Sequence, residues 1–431
     1  MHSKMTGGAA NGGPSTQDEK NREGMMSAGR NKIAARLAAL AATVAIFAGV
    51  APAGAETIKI GVPMELSGRF VAYGASGRRG VEMALEKFGT KAGDNDIQLL
   101  FRDVQSEAQA TVSAINELVS VEKVDFMIGP VASPIVAASV PPWQQGKPIW
   151  IVNGSSSTQL EEIAGGEDTF FHTYPYAYHY HTSEAEALQH YLGEGKKIAV
   201  IYSDDNYGRT HLPYVQQFYK EAGFEIVAEE LIRTNTPDMN PVLTKIARVK
   251  PDILIGLVQT TDAITLAKQI HTRKLDVPYL VGTAYTQLDE WQEAVGEAQE
   301  GWMGVTTYLP GVNHPANPDY PELFPETEAW AEAFRAKYNM EPDFLDIGHY
   351  AAMGMLLVAL DKAGGDKAKA AEELRSLDIP TVNGRGKFEP TGFGTKQQAF
   401  VDMVVFQRQG GKNVVLWPLE AASGDITAVT R

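Results

Sequence analysis

The chain has no cysteine at all. That excludes disulfides, thiolate metal sites and a cysteine nucleophile, and with them the lipid-modified cysteine that tethers many exported binding proteins to a membrane. Positive charge is sparse as well: the formal net charge is −15, and no stretch strings together five Lys or Arg residues. A phosphate backbone or an anionic membrane surface would find no complementary track, so nucleic acid is not expected as a partner. The longest apolar run, residues 37–50, falls short of the roughly 18–20 residues that span a bilayer. No P-loop, G-x-S-x-G elbow or H-E-x-x-H pair occurs, and the serines at 155–157 have no histidine placed by spacing to act as their base. The chain is therefore not read as an enzyme, and no cofactor is expected.

What is present is a composition that folds. With 431 residues, 44% hydrophobic and 21% charged, the chain can bury a large core, enough for two or three domains at roughly 150 residues each. Near the N-terminus Arg30, Lys32 and Arg36 lead the apolar run 37–50, and Ala53-Gly54-Ala55 follows it. That order predicts a secretory signal that starts at Met25 or Met26 and is cleaved after Ala55, so residues 1–55 are read as a leader. A soluble periplasmic protein beginning at Glu56, without a lipid anchor, is the expectation.

Short apolar runs then alternate with longer amphipathic ones. Strands are predicted at 57–63, 97–103, 124–130, 148–154, 197–204, 224–232, 252–258 and 277–283, and helices at 77–89, 108–123, 182–195 and 262–274. Strands that do not alternate, interleaved with helices, predict α/β architecture with parallel-rich sheets buried on both faces. The number of units exceeds one comfortable sheet, and residues 304–326 are dense in Pro, Gly and Asn, as connections are. Residues 343–365 form a long apolar helix. The units 124–139 and 251–268 share a pattern of Asp, apolar residues, Ile-Gly, Val, a hydroxyl residue and a helix, which reads as two lobes built alike.

In such sheets ligands sit beyond the carboxyl ends of the strands, where helices begin with free N–H groups. Four loops offer hydroxyls there: Ser133, residues 155–158, Ser203 and residues 260–261. Hydroxyls and N–H groups without a nearby lysine or arginine suit one carboxylate rather than a polyphosphate. Helix capping explains part of this, with Ser133-Pro134 as an Ncap-N1 pair and Thr158 to Glu161 as a capping box. The stretch Asn153-Gly154-Ser155-Ser156-Ser157-Thr158 nevertheless supplies more hydroxyls than one cap uses, and glycine lets a ligand approach the backbone. Tyr73 and Tyr207, each before a glycine in a loop after a strand, could wall an apolar ligand. The richest titratable stretch holds His172, His179 and His181. The last two share a side only if the segment is extended, so exposed histidines in a cross-lobe connection are expected there and no metal site.

The stretches IKIGVPMELSGRFVAYGASGRRGVEMALEKFG, FMIGPVASPIVAAS and IAVIYSDDNYGR resemble the leucine/isoleucine/valine-type periplasmic binding proteins of ABC transporters, over essentially all of 56–431. The resemblance implies a type I clamp of two Rossmann-like lobes, 56–174 with 308–387 and 175–307 with 388–431, joined by three hinge strands near Tyr174, Thr307 and Phe388. It implies that Ser133, Gly154 and Ser156 hold a carboxylate, with Ser155 in the same loop. Tyr73 and Tyr207 would be cleft aromatics, Tyr350 another, and Gln259 a pocket residue from the second lobe. The implied partners are a small amino acid or other carboxylate and an inner-membrane permease with its ATPase, the protein itself being a monomer. One departure stands out. Where the family's amino-acid binders carry an acidic residue for the ligand's ammonium group, this sequence has Ala284 and Tyr285. Unless Asp205 or Asp262 substitutes, a ligand without an α-amino group is implied. A ligand sensor of the same fold is the alternative reading, and a hydrolase is the third.

Overall fold

The computed structural model describes residues 56–429; the leader read at 1–55 lies outside them. Two large sheets organise the chain. The first takes β1 (Thr57–Met64), β2 (Lys91–Ala92), β3 (Asn95–Asp103), β4 (Phe126–Ile128), β5 (Ile149–Val152) and β6 (Phe170–His172) in the order β2-β3-β1-β4-β5-β6. All neighbours run parallel except the short β2 against β3. The second takes β7 (Lys197–Ser203), β8 (Glu225–Ile232), β9 (Ile253–Leu257), β10 (Tyr279–Val281), β11 (Trp302–Thr306), β14 (Val404–Gln409) and β15 (Lys412–Trp417). Its order is β15-β14-β11-β10-β9-β7-β8, with β14 and β15 antiparallel. Between β11 and β14 in sequence, β12 (Asp378–Thr381) and β13 (Gly384–Lys387) form a separate hairpin.

The eight strands expected from the apolar runs all form, because runs such as Ile198–Ile201 and Ile253–Leu257 are buried on both faces and belong in the middle of a covered parallel sheet. In each sheet the first strand sits between the second long strand and the next one, β3-β1-β4 and β8-β7-β9. Each sheet therefore has its own point where the strand order reverses. The two similar sequence units give β4 and β9, which occupy the same position beside that point in their sheets.

Helices cover the faces. Those that reach the site are α1 (Val71–Phe88), α2 (Ala108–Asn116), α3 (Ser133–Trp143), α4 (Ala177–Leu192), α5 (Asn206–Glu221), α6 (Asn240–Val249), α7 (Thr260–Arg273), α8 (Asp289–Val295), α9 (Thr327–Tyr338) and α10 (Phe344–Lys362) or brace those that do. Residues 307–326 are irregular, as their Pro and Gly content implied. Helix α10 is the one helix among the described residues apolar and long enough to cross a membrane by composition, but 94% of that stretch is buried inside the fold, where each fully buried large side chain contributes about 1.5–3 kcal/mol. Asp343 starts it, accepting from the Leu345 and Asp346 N–H groups while Asp346 accepts from the Asp343 N–H, a reciprocal cap. Arg79 of α1 grips the buried Asp346 with two hydrogen bonds of 2.8 and 3.0 Å. Gly80 allows this approach: a Cβ there would stand 2.4 Å from the Asp346 carbonyl oxygen.

The chain passes between the sheets after β6, after β11 and before β14. The first and third passages pair: the His172 N–H donates to the Gln397 carbonyl, and the Ala399 N–H donates to that of His172.

Candidate functional site

Loops that leave the carboxyl ends of strands in both sheets meet around one cavity. It encloses about 410 Å³ of space free of protein atoms, counting its mouth.

The first sheet contributes small groups. Ser133 opens α3, and its hydroxyl makes no capping bond; the residue in the Ncap position is Ala132. The expected Ncap-N1 pairing is thus shifted by one residue, which leaves the Ser133 side chain lining the cavity. Behind it Glu65, with no exposed surface, accepts from the Val131 and Ala132 N–H groups at 3.2 and 2.9 Å. Burial pushes its carboxyl up to about 7 against the pull of those donors. After β5 the chain turns through two residues of positive φ, Gly154 at 124° and Ser155 at 56°. A Cβ on Gly154 would stand 2.8 Å from Val131 Cγ1, so only glycine fits. The Ser155 hydroxyl is buried with no partner in the protein. Ser156 Oγ lies 2.6 Å from His211 Nε2 of α5.

The second sheet contributes rings and amides. Tyr207 Oη donates to Thr283 Oγ1 at 2.6 Å, and Tyr285 Oη donates to the Gly256 carbonyl at 3.3 Å. Gln259 sits at the start of α7, and Tyr73 of α1 reaches across the cleft to it and to Thr260 Oγ1, at 3.2 and 2.7 Å. Tyr174, Tyr180 and Phe344 close the remaining wall, with the Tyr174 and Tyr180 hydroxyls bonded to each other. Burial holds the Tyr73, Tyr174, Tyr180, Tyr207 and Tyr285 phenols above their usual value, so all stay neutral. Among the described residues, no Asp, Glu, Lys, Arg or His lines this cavity.

Tyr73, Ser133, Gly154, Ser155, Ser156, Tyr207, Gln259 and Tyr285 thus come together, and Tyr350 does not. Its hydroxyl donates to the Leu323 carbonyl at 2.5 Å, and its ring packs on Trp330 at 5.4 Å; in a helix buried all round, no apolar stripe marks which side meets the cavity. Phe344 and Leu345, at the start of the same helix, take that place, and the cap at Asp343 was the signal for it. Neither Asp205 nor Asp262 reaches the cavity. Asp205 caps α5, accepting from the Gly208 N–H at 2.9 Å, and Asp262 accepts from the Thr236 N–H at 3.1 Å. Nor does Thr158 to Glu161 form a capping box: the Glu161 carboxylate turns to Thr391 Oγ1 at 2.7 Å and the Tyr178 hydroxyl.

The histidine-rich stretch is not an exposed connection. His172 ends β6 with no exposed surface, its Nε2 3.0 and 3.1 Å from the Gly154 and Ser155 carbonyls, where it pins the glycine-serine turn. Burial lowers it to about 4. His179 and His181 both lie in α4 and diverge, and among the described residues no three side chains are grouped to hold a metal ion. Sequence spacing also gave Ser156 no histidine, whereas the fold delivers His211 from 55 residues away.

Two doubly wound sheets whose loops close on a small neutral cavity define a clamp for a small solute. Residues 57–412 match the periplasmic binding protein family. The chain belongs to that family. It is 29% identical over 402 residues to Leu/Ile/Val-binding protein homolog 7 of Brucella suis, covering 89% of this chain and 96% of that one. Its fold is similar to that of the branched-chain amino acid transporter substrate-binding protein of Streptococcus pneumoniae, solved with isoleucine (TM-score 0.72, 22% identity, 87% and 100% of the two chains). A solute-binding protein of R. palustris, solved with benzoate, is similar at TM-score 0.71 and 20% identity, covering 87% and 98%. These relatives and fold neighbours are solute-binding proteins, not enzymes.

Proposed function

We propose that the protein is the periplasmic solute-binding component of an ABC importer, and that it captures a small monocarboxylate lacking an α-ammonium group. The single observation that carries this is the cavity lining: serine hydroxyls from the first lobe, aromatic rings from both, and no ionised side chain among them. A carboxylate is held by hydroxyls and backbone N–H groups without a cation. Glu65 occupies the Val131 and Ala132 N–H groups, which leaves the Ser133 N–H and the Ser133 and Ser155 hydroxyls for the ligand. A buried ammonium, by contrast, is costly without an anionic partner. The isoleucine and benzoate carried by the two solved relatives share only a carboxylate and an apolar body, the two features for which this cavity is built.

In the mechanism, lobe one (56–174 with 308–387) takes the carboxylate first. Lobe two (175–307 with 388–431) then rotates about the passages near Tyr174, Thr307 and Phe388 until Tyr73 meets Gln259 and Thr260. The closed form is the shape presented to an inner-membrane permease, by a monomer exported through a cleaved leader. The test is a thermal melt of unliganded protein with benzoate, 4-methylpentanoate and L-leucine in turn. A ligand at about 100 times its Kd adds about 2.7 kcal/mol, a readable shift. The acids are expected to raise the melting point and leucine to leave it unchanged; a shift with leucine alone would overturn the monocarboxylate reading.

A further inference from the structure

Behind Ser156 runs a buried hydrogen-bonded chain. Ser156 Oγ is 2.6 Å from His211 Nε2, His211 Nδ1 is 2.8 Å from His181 Nε2, and His181 Nδ1 is 2.7 Å from Glu184 Oε2. The Tyr219 hydroxyl donates to the same Glu184 oxygen at 3.1 Å. His181, Glu184, His211 and Tyr219 have no exposed surface, and Ser156 is 3% exposed. The chain crosses the cleft, starting on the β5 loop of the first sheet and ending on α4 and α5 over the second.

We infer that this chain is a polarity switch: the presence or absence of one proton on His181 decides whether Ser156 offers the ligand a hydrogen or a lone pair. The geometry leaves two consistent arrangements. With Glu184 ionised and His181 neutral, His181 Nδ1–H donates to Glu184 and its Nε2 accepts from His211 Nδ1–H. His211 Nε2 then accepts the Ser156 hydroxyl hydrogen, and Ser156 shows only lone pairs to the cavity. One proton from solvent on His181 reverses the two links beyond it, while His181 Nδ1–H still donates to Glu184. His181 Nε2–H donates to His211 Nδ1, His211 Nε2–H donates to Ser156 Oγ, and the Ser156 hydrogen turns toward the ligand. A carboxylate accepts and cannot donate, so its binding selects the protonated arrangement and takes up one proton.

The groups facing the chain do not compete for that proton. Tyr219, Tyr180 and Tyr207 pack against the two imidazoles, Tyr285 is within electrostatic reach of Glu184, and burial keeps all four phenols neutral. Burial and the neighbouring His181 hold His211 well below the usual histidine range, and the proposed switch places the added proton on His181, whose Nδ1 lies 2.7 Å from Glu184. Glu184 Oε1 has no partner in the protein, and a buried carboxylate is best compensated by a charged His181.

The inference rests on the carboxylate reading only for its binding arm, and the first experiment does not need a ligand. In full-chain protein labelled with 15N-histidine, His211 is expected to carry its proton on Nδ1 at about pH 9 and on Nε2 at about pH 5, switching in the same step in which His181 becomes imidazolium. A single His211 tautomer across that range overturns the switch, whatever the protein binds. In the second arm, benzoate affinity is expected to fall up to tenfold per pH unit above the step, the slope of one linked proton. Ser156→Ala, which removes only the end of the chain that faces the cavity and leaves the His211–His181–Glu184 links, should flatten that slope. A benzoate affinity that ignores the step, or a slope unchanged in Ser156→Ala, overturns the link to the ligand. If none of the three ligands of the melt binds, the monocarboxylate reading fails and the tautomer arm alone decides the switch.

Discussion

The two sides of the cavity are built from similar strand-loop-helix units, yet they present different chemistry. The first sheet offers a glycine, three serines and a turn held at positive φ, while the second offers two tyrosines, a threonine and a glutamine whose polar atoms mostly bond to other protein groups. Equivalent topology therefore does not dictate equivalent chemistry. In the proposed reading one side supplies unspent donors to the ligand's polar end, and the other walls its apolar body and closes.

The comparison is broken most severely from beneath. Removing Arg79, which ties α1 to Asp346 of α10, strands a buried carboxyl; Arg79→Ala is expected to cost about 3 kcal/mol in urea unfolding, and a loss below about 1 would show that the pair does not hold the first side together. Gly154→Ala places a Cβ in contact with Val131 at positive φ. A destabilisation of about 2 kcal/mol is expected in the same assay, together with loss of ligand-induced stabilisation; an unperturbed melt would contradict the account of the turn.

The buried histidines sharpen it by pH. His172 and His349 are both lowered by burial to about 4. Their contribution is complete above the unfolded value of about 6.5 and is lost as pH falls through about 4, at up to about 1.4 kcal/mol per unit for each histidine. Glu65, raised to about 7, acts oppositely: its share is present below its unfolded value and is lost as pH rises through about 7. The two signs separate in a difference measurement. His349→Gln should lose stability less steeply than wild type between about pH 6.5 and about pH 5, and equal slopes would refute the buried neutral imidazole.

The smallest effects compare the sides directly. Ser133→Ala should weaken carboxylate binding about tenfold, the worth of one hydrogen bond to a charged group. Gln259→Ala, which touches only the closing contact with Tyr73, should weaken it only about threefold. Calorimetric titration ranks them, and the reverse order would place the polar end of the ligand on the second side.

Much of this was legible because short β-branched runs bounded by turn residues suit strands of a covered sheet, and because a hydroxyl-rich loop after such a strand has a fixed position in an α/β sheet. The antiparallel hairpin of β14 and β15 turns at Gly410-Gly411, a dipeptide that could have marked it. Two failures have physical causes. Tyr350 sits in a helix buried on every side, where periodicity carries no direction. His211 meets Ser156 only because the loop after β5 and helix α5, from different sheets, converge, and no spacing along the chain encodes that.

The most direct measurement is a crystal structure of the protein with 4-methylpentanoate. The carboxylate is expected within hydrogen-bond distance of Ser133 and the 154–156 turn, with the isobutyl end against Tyr207 and Tyr285. A carboxylate turned toward Gln259, or a cavity that stays without the acid at saturation, would contradict the account.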